Sequence, residues 1–517
     1  MNLQAPPVSP AAVLRFPKSL ALIAGLASAT GFAPLNLWPV SLLCVALMMQ
    51  LVHAAPDLKG ALLRGYWFGV GHFVVGLNWI AGSFAYQDAM PVWLGWIAVL
   101  VLALYIAIYP ALAAGLAWRH GRAQDTVFVL FFAAAWIVTE WLRATMFTGF
   151  AWNPLGVIWV GASGVTRLLG TYALSGFVVL GAGTLWLLAS RNLKGAVVPA
   201  ALLVAGVLPS VPMSIPEPDL NLRMAKQPLI RVVQPNIGQQ DKHVPAFDAI
   251  NFRKLEAMTG APGPTPRLIV WPEAAIPDYI QEEPWARARL ATLLGPKDAL
   301  LTGGVALEYD RAGKLVGARN SVFALLANGQ ITSRYDKSHL VPYGEYLPMP
   351  WLLRPLGLAR LVPGDLDFWP GPGPQTMTVN LNGKPVKIGI QICYEMIFSG
   401  QVTDRKNRPD FIFNPSNDAW FGTIGPPQHL AQARLRAIEE GLPVVRATPT
   451  GISAVIDANG RIVKSLPLGT SGRIDAVVPQ AKVPTLFARF GNILPLGFAG
   501  LLIACALLPL ARRAPSR

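Results

Sequence analysis

The chain has 517 residues, is 53% hydrophobic and only 14% charged, and has a mean hydropathy of +0.42. Soluble domains carry roughly a quarter charged residues, so a wholly water-exposed protein is excluded. The net charge of +15 does not indicate a nucleic-acid partner, because many Lys and Arg flank apolar runs instead of clustering on one soluble face.

Apolar runs fall near 19–33, 39–55, 61–84, 92–118, 126–142, 168–189, 196–211 and 490–510. Runs of this kind predict a polytopic α-helical membrane region of about eight spans, the first weakened by Gly31 and Pro34. No small-residue cleavage site precedes a polar mature region, so no cleavable signal peptide is expected. Arg15, Lys18, Lys59, Arg64, Arg119, Arg122, Arg191, Lys194, Arg512, Arg513 and Arg517 lie in alternate loops, with Arg143 and Arg167 as exceptions. The positive-inside rule then puts both termini in the cytoplasm and residues 212–484 outside, in the periplasm of a bacterial inner membrane.

The Pro- and Ser-rich stretch Pro209–Pro228 marks a boundary, so the expected division is 1–211 for the first membrane helices, 228–484 for a soluble unit and 488–511 for a last helix. Short apolar strands are predicted over 229–233, 268–271, 300–303, 321–326, 386–392, 411–414 and 453–456, and helices over 247–258, 285–294 and 429–440. Asn328-Gly329, Asn382-Gly383 and Asn459-Gly460 predict hairpins, because both residues tolerate positive φ. Strands alternating with helices point to an external α/β sandwich with helices covering its sheets.

Three segments of this unit can carry chemistry. Leu268-Ile-Val-Trp-Pro-Glu273 is a buried strand that ends in a carboxylate. Tyr335-Asp-Lys337-Ser-His-Leu-Val-Pro-Tyr-Gly-Glu345 puts a cation and an acid in a Pro- and Gly-rich turn. Val386-Lys-Ile-Gly-Ile-Gln-Ile-Cys393-Tyr394-Glu395 ends a strand on a cysteine. Cys44 and Cys505 lie inside apolar runs, which leaves Cys393 without an obvious disulfide partner. Each segment alone also reads as a solvated cap, a surface lysine or a core cysteine.

Together they resemble the nitrilase superfamily, whose Glu–Lys–Cys triad matches Glu273, Lys337 and Cys393 in order and context. The resemblance narrows to the apolipoprotein N-acyltransferase family. Multiple spans precede such a unit and one follows it. Pro342-Tyr-Gly-Glu-Tyr-Leu-Pro348, Ile392-Cys-Tyr-Glu395, Phe147-Thr-Gly-Phe-Ala-Trp152, and Asn417-Asp-Ala-Trp420-Phe421-Gly422 with Gln428-His429-Leu430 match as well. One departure is His243, at the place where the family pattern has a tryptophan. The resemblance implies an αββα sandwich and a ping-pong transfer through a Cys393 thioester. The donor would be the sn-1 chain of a phospholipid. The acceptor would be the amine of the diacylglyceryl cysteine that begins an apolipoprotein, in the last step of lipoprotein maturation. Tyr394 and Glu395 would support the nucleophile, and no cofactor is expected.

The chemistry suits these residues without the name. Acyl transfer from ester to amine splits into two easier steps if a thiol holds the acyl group. Glu273 would take the thiol proton. Lys337 and the Tyr394 amide would stabilise the oxyanion, one such donor contributing about 3 kcal/mol. Glu345 would orient Lys337 or share in handling the proton. A Cys–His pair would need His339 or His429, and the sequence has neither HExxH nor CxxC metal spacing. The rival readings are a membrane-tethered amidase or nitrilase that releases its acyl group to water, and a transporter or scaffold with an inactive hydrolase-like unit. The apolar run 343–362, with Trp351, Leu352 and Leu353, reads either as core or as a lid at the bilayer surface, with Arg354 and Arg360 meeting phosphates. Trp420 and Phe421 are further candidates for lipid contact.

Overall fold

The computed structural model describes residues 16–86, 90–207, 227–242, 244–358, 360–361 and 368–511. His243, Val362 and most of the Pro209–Pro228 linker lie outside the described residues.

The N-terminal part is helical. Helices run over Pro17–Ser28, Trp38–His53, Leu58–Gly76, Trp79–Ser83, Leu94–Ile106, Ile108–Gly121, Asp125–Thr145, Ser163–Ala189 and Leu193–Val207. Ile493–Ala511 returns to the bundle, and Phe498 stacks on Phe177 with ring centroids 5.0 Å apart. Small residues allow the backbones to touch: a Cβ on Gly25 would stand 2.0 Å from the carbonyl oxygen of Phe68.

Among the described residues three helices are long and apolar enough to cross a membrane: Leu94–Gly121, Asp125–Thr145 and Ser163–Ala189. Leu58–Gly76 with Trp79–Tyr86, bent by 44°, makes a fourth if the pair is one span. Trp38–His53, Leu193–Val207 and Ile493–Leu508 are apolar but shorter, so length and composition support fewer spans than the expected eight.

The second part is an α/β sandwich. One sheet has the order β12-β1-β2-β3-β4-β5, built from β1 (Leu229–Gln234), β2 (Arg267–Val270), β3 (Ala299–Tyr309), β4 (Leu315–Leu326), β5 (Ile331–Asp336) and β12 (Gly472–Val477). The other has the order β11-β10-β9-β8-β7-β6, from β6 (Thr376–Leu381), β7 (Lys384–Ile390), β8 (Phe411–Pro415), β9 (Val444–Ala447), β10 (Ala454–Ile456) and β11 (Ile462–Ser465). Strand alternation sorts the side chains. Leu268 and Val270 join the core that holds Ile388, Ile390 and Phe413 of the facing sheet. Ile269 and Trp271 face Phe252 and Leu290 of the outer helices Pro245–Thr259 and Pro284–Ala291. Gly425–Glu440 covers the second sheet through Leu430, Ala433 and Ala437.

The three Asn-Gly pairs each join paired antiparallel strands: β4 to β5, β6 to β7, and β10 to β11. At Asn382-Gly383 both residues have positive φ, 52° and 77°, as a two-residue hairpin requires. Strands β1, β2 and β3 run parallel, as do β7, β8 and β9. Their carboxyl ends therefore share one edge of the sandwich, the place where open α/β sheets bind ligands.

Candidate active site

Glu273 follows β2 after Trp271 and Pro272, and its carboxylate is buried. Gly303 of β3 permits this path, because a Cβ there would sit 2.8 Å from the Glu273 Cα. Oε1 of Glu273 accepts from Asn320 Nδ2 (2.8 Å) and Lys337 Nζ (3.2 Å), and Oε2 accepts from the Asn417 amide (2.8 Å). Lys337 directly follows β5 and is only 1% exposed. Its Nζ also donates to Glu345 Oε1 at 2.9 Å, and Asn320 Nδ2 reaches the same oxygen at 2.9 Å. Glu345 Oε2 accepts from the Val341 amide at 2.8 Å, which folds the turn back over the lysine.

Cys393 begins a short 3-10 helix, Cys393–Ile397, just past β7. It is buried and has φ +49°, a left-handed conformation rare for a residue with a Cβ. Such strain persists where surrounding contacts over-determine it, and it clusters at reactive sites. Two side chains, Glu395 and His429, hold this turn. Glu395 Oε1 accepts from Tyr335 OH, Ser338 N, Ser338 Oγ and His339 N at 2.7–3.2 Å, and Oε2 accepts from Ile392 N at 2.7 Å. Glu395 thus ties the lysine loop to the cysteine turn. From behind, His429 Nε2 donates to the Cys393 carbonyl at 3.1 Å, while Arg446 Nη2 lies 3.0 Å from Nδ1. Burial and Arg446 push the His429 imidazole down, opposed by Asp418, whose Oδ1 lies 3.1 Å from Nδ1. The imidazole meets Cys393 through the main chain, which does not fit a thiol base. His339 stacks on Phe398 with centroids 3.9 Å apart.

The charges set the resting protonation. Burial and then the negative charge of Glu273 push the Cys393 thiol well above the usual thiol range, with Lys337 opposing. Burial would raise Glu273, but the ammonium groups of Lys337 and Lys242 outweigh it and hold the carboxyl below its usual range. Burial would lower Lys337, and the carboxylates of Glu273 and Glu345 outweigh it, so the ammonium is held above the lysine range. The resting site is therefore a thiol beside a carboxylate and a fixed cation. Among the described residues no group of three or more His, Cys, Asp or Glu is arranged to hold a metal.

The other predicted residues lie around this centre. Tyr394 OH donates to the Gly149 carbonyl at 3.2 Å, a bond into the helical part. Phe421 is buried between the two parts, with ring centroids 4.7 Å from Trp79, 5.3 Å from Trp152 and 5.6 Å from His429. Trp420 is half-buried, and its carbonyl accepts from Ser83 Oγ at 2.8 Å. Trp420 Nε1 (3.1 Å), Lys242 Nζ (3.3 Å) and Gln239 Oε1 (2.7 Å) face one side of the Asn417 side-chain amide; the two donors favour its oxygen there, with the Gln239 amide turned to match. Trp351 is 75% exposed and Leu356 69%, Leu352 is exposed and Leu353 is half-buried, so the run after Glu345 is core at Leu347 but not from Met349 to Leu356. Arg360 lies 5.8 Å over the Phe368 ring.

Sequence reasoning missed Asn320 and Lys242. The polar triplet Arg319-Asn320-Ser321 inside an otherwise apolar strand was a signal for the first. Lys242, in a Gln-rich loop, offered none.

Residues 229–485 match the family described as carbon-nitrogen hydrolase, and residues 24–184 match the apolipoprotein N-acyltransferase N-terminal domain. An apolipoprotein N-acyltransferase of Rhodopseudomonas palustris is 35% identical over 508 residues, covering 92% of this chain and 91% of the relative. One of Bradyrhizobium diazoefficiens is 36% identical over 518 residues, covering 96% and 94%. Saccharomyces cerevisiae Nit3, a member of branch 10 of the nitrilase superfamily, aligns at 21% identity and TM-score 0.34, over 56% of this chain and 97% of that one. Because the relatives match from the first helices to the last, with both family regions in order, this chain belongs to the apolipoprotein N-acyltransferase family.

Proposed function

We propose that this protein moves an acyl chain from a phospholipid, through a Cys393 thioester, to the amino terminus of a diacylglyceryl apolipoprotein. The observation that carries this reading is the buried Glu273–Lys337–Glu345 network beside a strained cysteine, bordered by an exposed apolar segment. Membership of the family favours transfer to an amine over release of the acyl group to water.

In the first half-reaction Glu273 takes the Sγ proton and the thiolate attacks the ester carbonyl. Lys337 and the Tyr394 amide stabilise the oxyanion. The C–O bond then breaks, the leaving glycerol oxygen takes the proton from Glu273, and lysophospholipid departs. In the second, the neutral amine attacks the thioester. A C–N bond forms, the C–S bond breaks, and the amine proton returns through Glu273 to the thiolate. Trp351, Leu352 and Leu353 are proposed to contact lipid, and Glu345, Tyr394 and Glu395 to hold the reacting groups. Trp420 and Phe421, proposed first as lipid contacts, are better supported as packing beside the site.

The test is intact mass of the full chain after mixing with phospholipid vesicles. One acyl mass should appear on the wild type and be absent from Cys393→Ala, and a diacylglyceryl peptide should discharge it with the acyl group on its amine. Discharge to free fatty acid alone would overturn transfer.

We propose cytoplasmic termini and an external 228–484 unit from the Lys and Arg distribution, with about eight spans as the reading of the apolar runs alone. Reporter fusions near residue 190 and at the C-terminus should mark the cytoplasm, and fusions near residue 300 the opposite side. The reverse pattern would contradict the proposed acceptor.

A further inference from the structure

A second buried cation stands behind Glu273. Lys242 lies in the loop after β1; its Nζ donates to the Glu273 main-chain carbonyl at 2.8 Å and, with the Asn417 side-chain amide turned to present its oxygen, reaches that oxygen at 3.3 Å. The Asn417 amide donates to Glu273 Oε2 at 2.8 Å. One ammonium therefore holds both the backbone of Glu273 and the residue that orients its carboxylate. Two neutral oxygens do not require a charged donor, and burying an ammonium costs several kcal/mol. The charge needs a counter-charge, and the carboxylate of Glu273 is the resting anion that supplies one.

We infer that Lys242 is a positioning residue for acyl transfer, fixing Glu273 and Asn417 and adding a second positive charge behind the carboxylate. This rests on the reading of Glu273 as the base. The titratable groups facing Glu273 are the cations Lys337 after β5 and Lys242 and the neutral thiol of Cys393, with Glu345 sharing Lys337 and Asn320. Asp248 of the Pro245–Thr259 helix lines the small cavity that Lys242 and Glu273 share. Burial lowers Lys242 to about 8 against the pull of Glu273 and Cys393, so it remains cationic through the acidic range where Glu273 titrates.

The sign follows. A nearby cation holds a carboxyl down, so removing it moves the titration to higher pH. The experiment follows the rate of Cys393 alkylation by iodoacetamide against pH in the full-length protein in vesicles, with Tm measured on each variant. In Lys242→Met and Lys242→Gln the acidic limb should move up by on the order of one pH unit. Gln keeps a donor and loses the charge, which separates charge from bonding. Lys242→Arg should keep the wild-type limb. An unmoved limb in the Met and Gln variants, whether or not Tm falls, would overturn the inference. If either variant fails to fold, the limb of the other decides. Glu273→Gln separates the two readings. Wild-type alkylation in that variant would sink the base itself. A slow Glu273→Gln beside an unmoved Lys242→Gln limb would sink only the role of Lys242.

Discussion

Residues 337–345 and 346–361 are neighbours in sequence and opposites in physics. The first stretch buries Lys337 and Glu345, each held by hydrogen bonds. The second leaves Trp351, Leu352 and Leu356 exposed. This inverts the usual sorting of charge to the outside and apolar bulk to the inside. The buried charges are held by bonds from Glu273, Asn320 and Val341, so their place is set by pairing. The exposed apolar groups lack that kind of closure, and large exposed apolar side chains gathered in one segment are the usual mark of an interaction surface. The difference teaches that a few residues of one loop separate a buried, paired set of charges from exposed apolar bulk.

The sharpest way to break this comparison is to remove the buried cation. Lys337→Met should lower acylation by on the order of 10²–10³-fold, because a fixed oxyanion donor is lost. It should also destabilise the fold, since Glu345 is left with an uncompensated buried charge and Glu273 keeps only Lys242. Acylation kinetics together with Tm check this, and near-normal turnover would remove Lys337 from the site. A smaller effect is expected from the exposed stretch. Trp351→Glu, or Leu352→Asp with Leu353→Asp, should change stability by about 0.5 kcal/mol or less, as surface substitutions do. Alkylation of Cys393 by a small soluble reagent should be unchanged, while acylation from vesicles falls about tenfold, roughly the cost of withdrawing one partly buried apolar side chain. Parallel loss of folding and alkylation would mean that the segment packs as core.

Much of the sandwich was legible because its central strands are short apolar runs punctuated by Asn-Gly. The strands β5, β6, β9, β11 and β12 were not. β11 is exposed along its whole length, so no alternation marks it. β9 carries Arg446, which looks foreign to a core strand until its partner Asp418, 28 residues away, is seen at 2.5 Å. The site was legible as three strand ends, because Pro272, the Pro-Tyr-Gly turn and the lone cysteine each mark one. What ties those ends together was not, since Asn320 and Lys242 meet Glu273 only after the chain has folded back across tens of residues. Phe421 shows the same limit. An aromatic in a loop looks the same in sequence whether it meets a lipid or Trp79 and Trp152.

The bond from Tyr394 to the Gly149 carbonyl has a consequence for how this enzyme can be taken apart. Trp152 likewise donates to Gln428 at 2.8 Å, and Thr171 to Glu439 at 2.7 Å. A globular catalyst merely leashed to a bilayer could be cut free at its leash and still work in water. Here the bilayer-side bundle supplies part of the wall against which the reactive turn is braced. Severing the chain near residue 227 would strip that wall, bare the face formed by Phe421 and Tyr394, and leave their polar neighbours without mates. Anchor and reactor are one machine, and a secreted, free-standing version would need a rebuilt rear surface before it could hold its thiol in place.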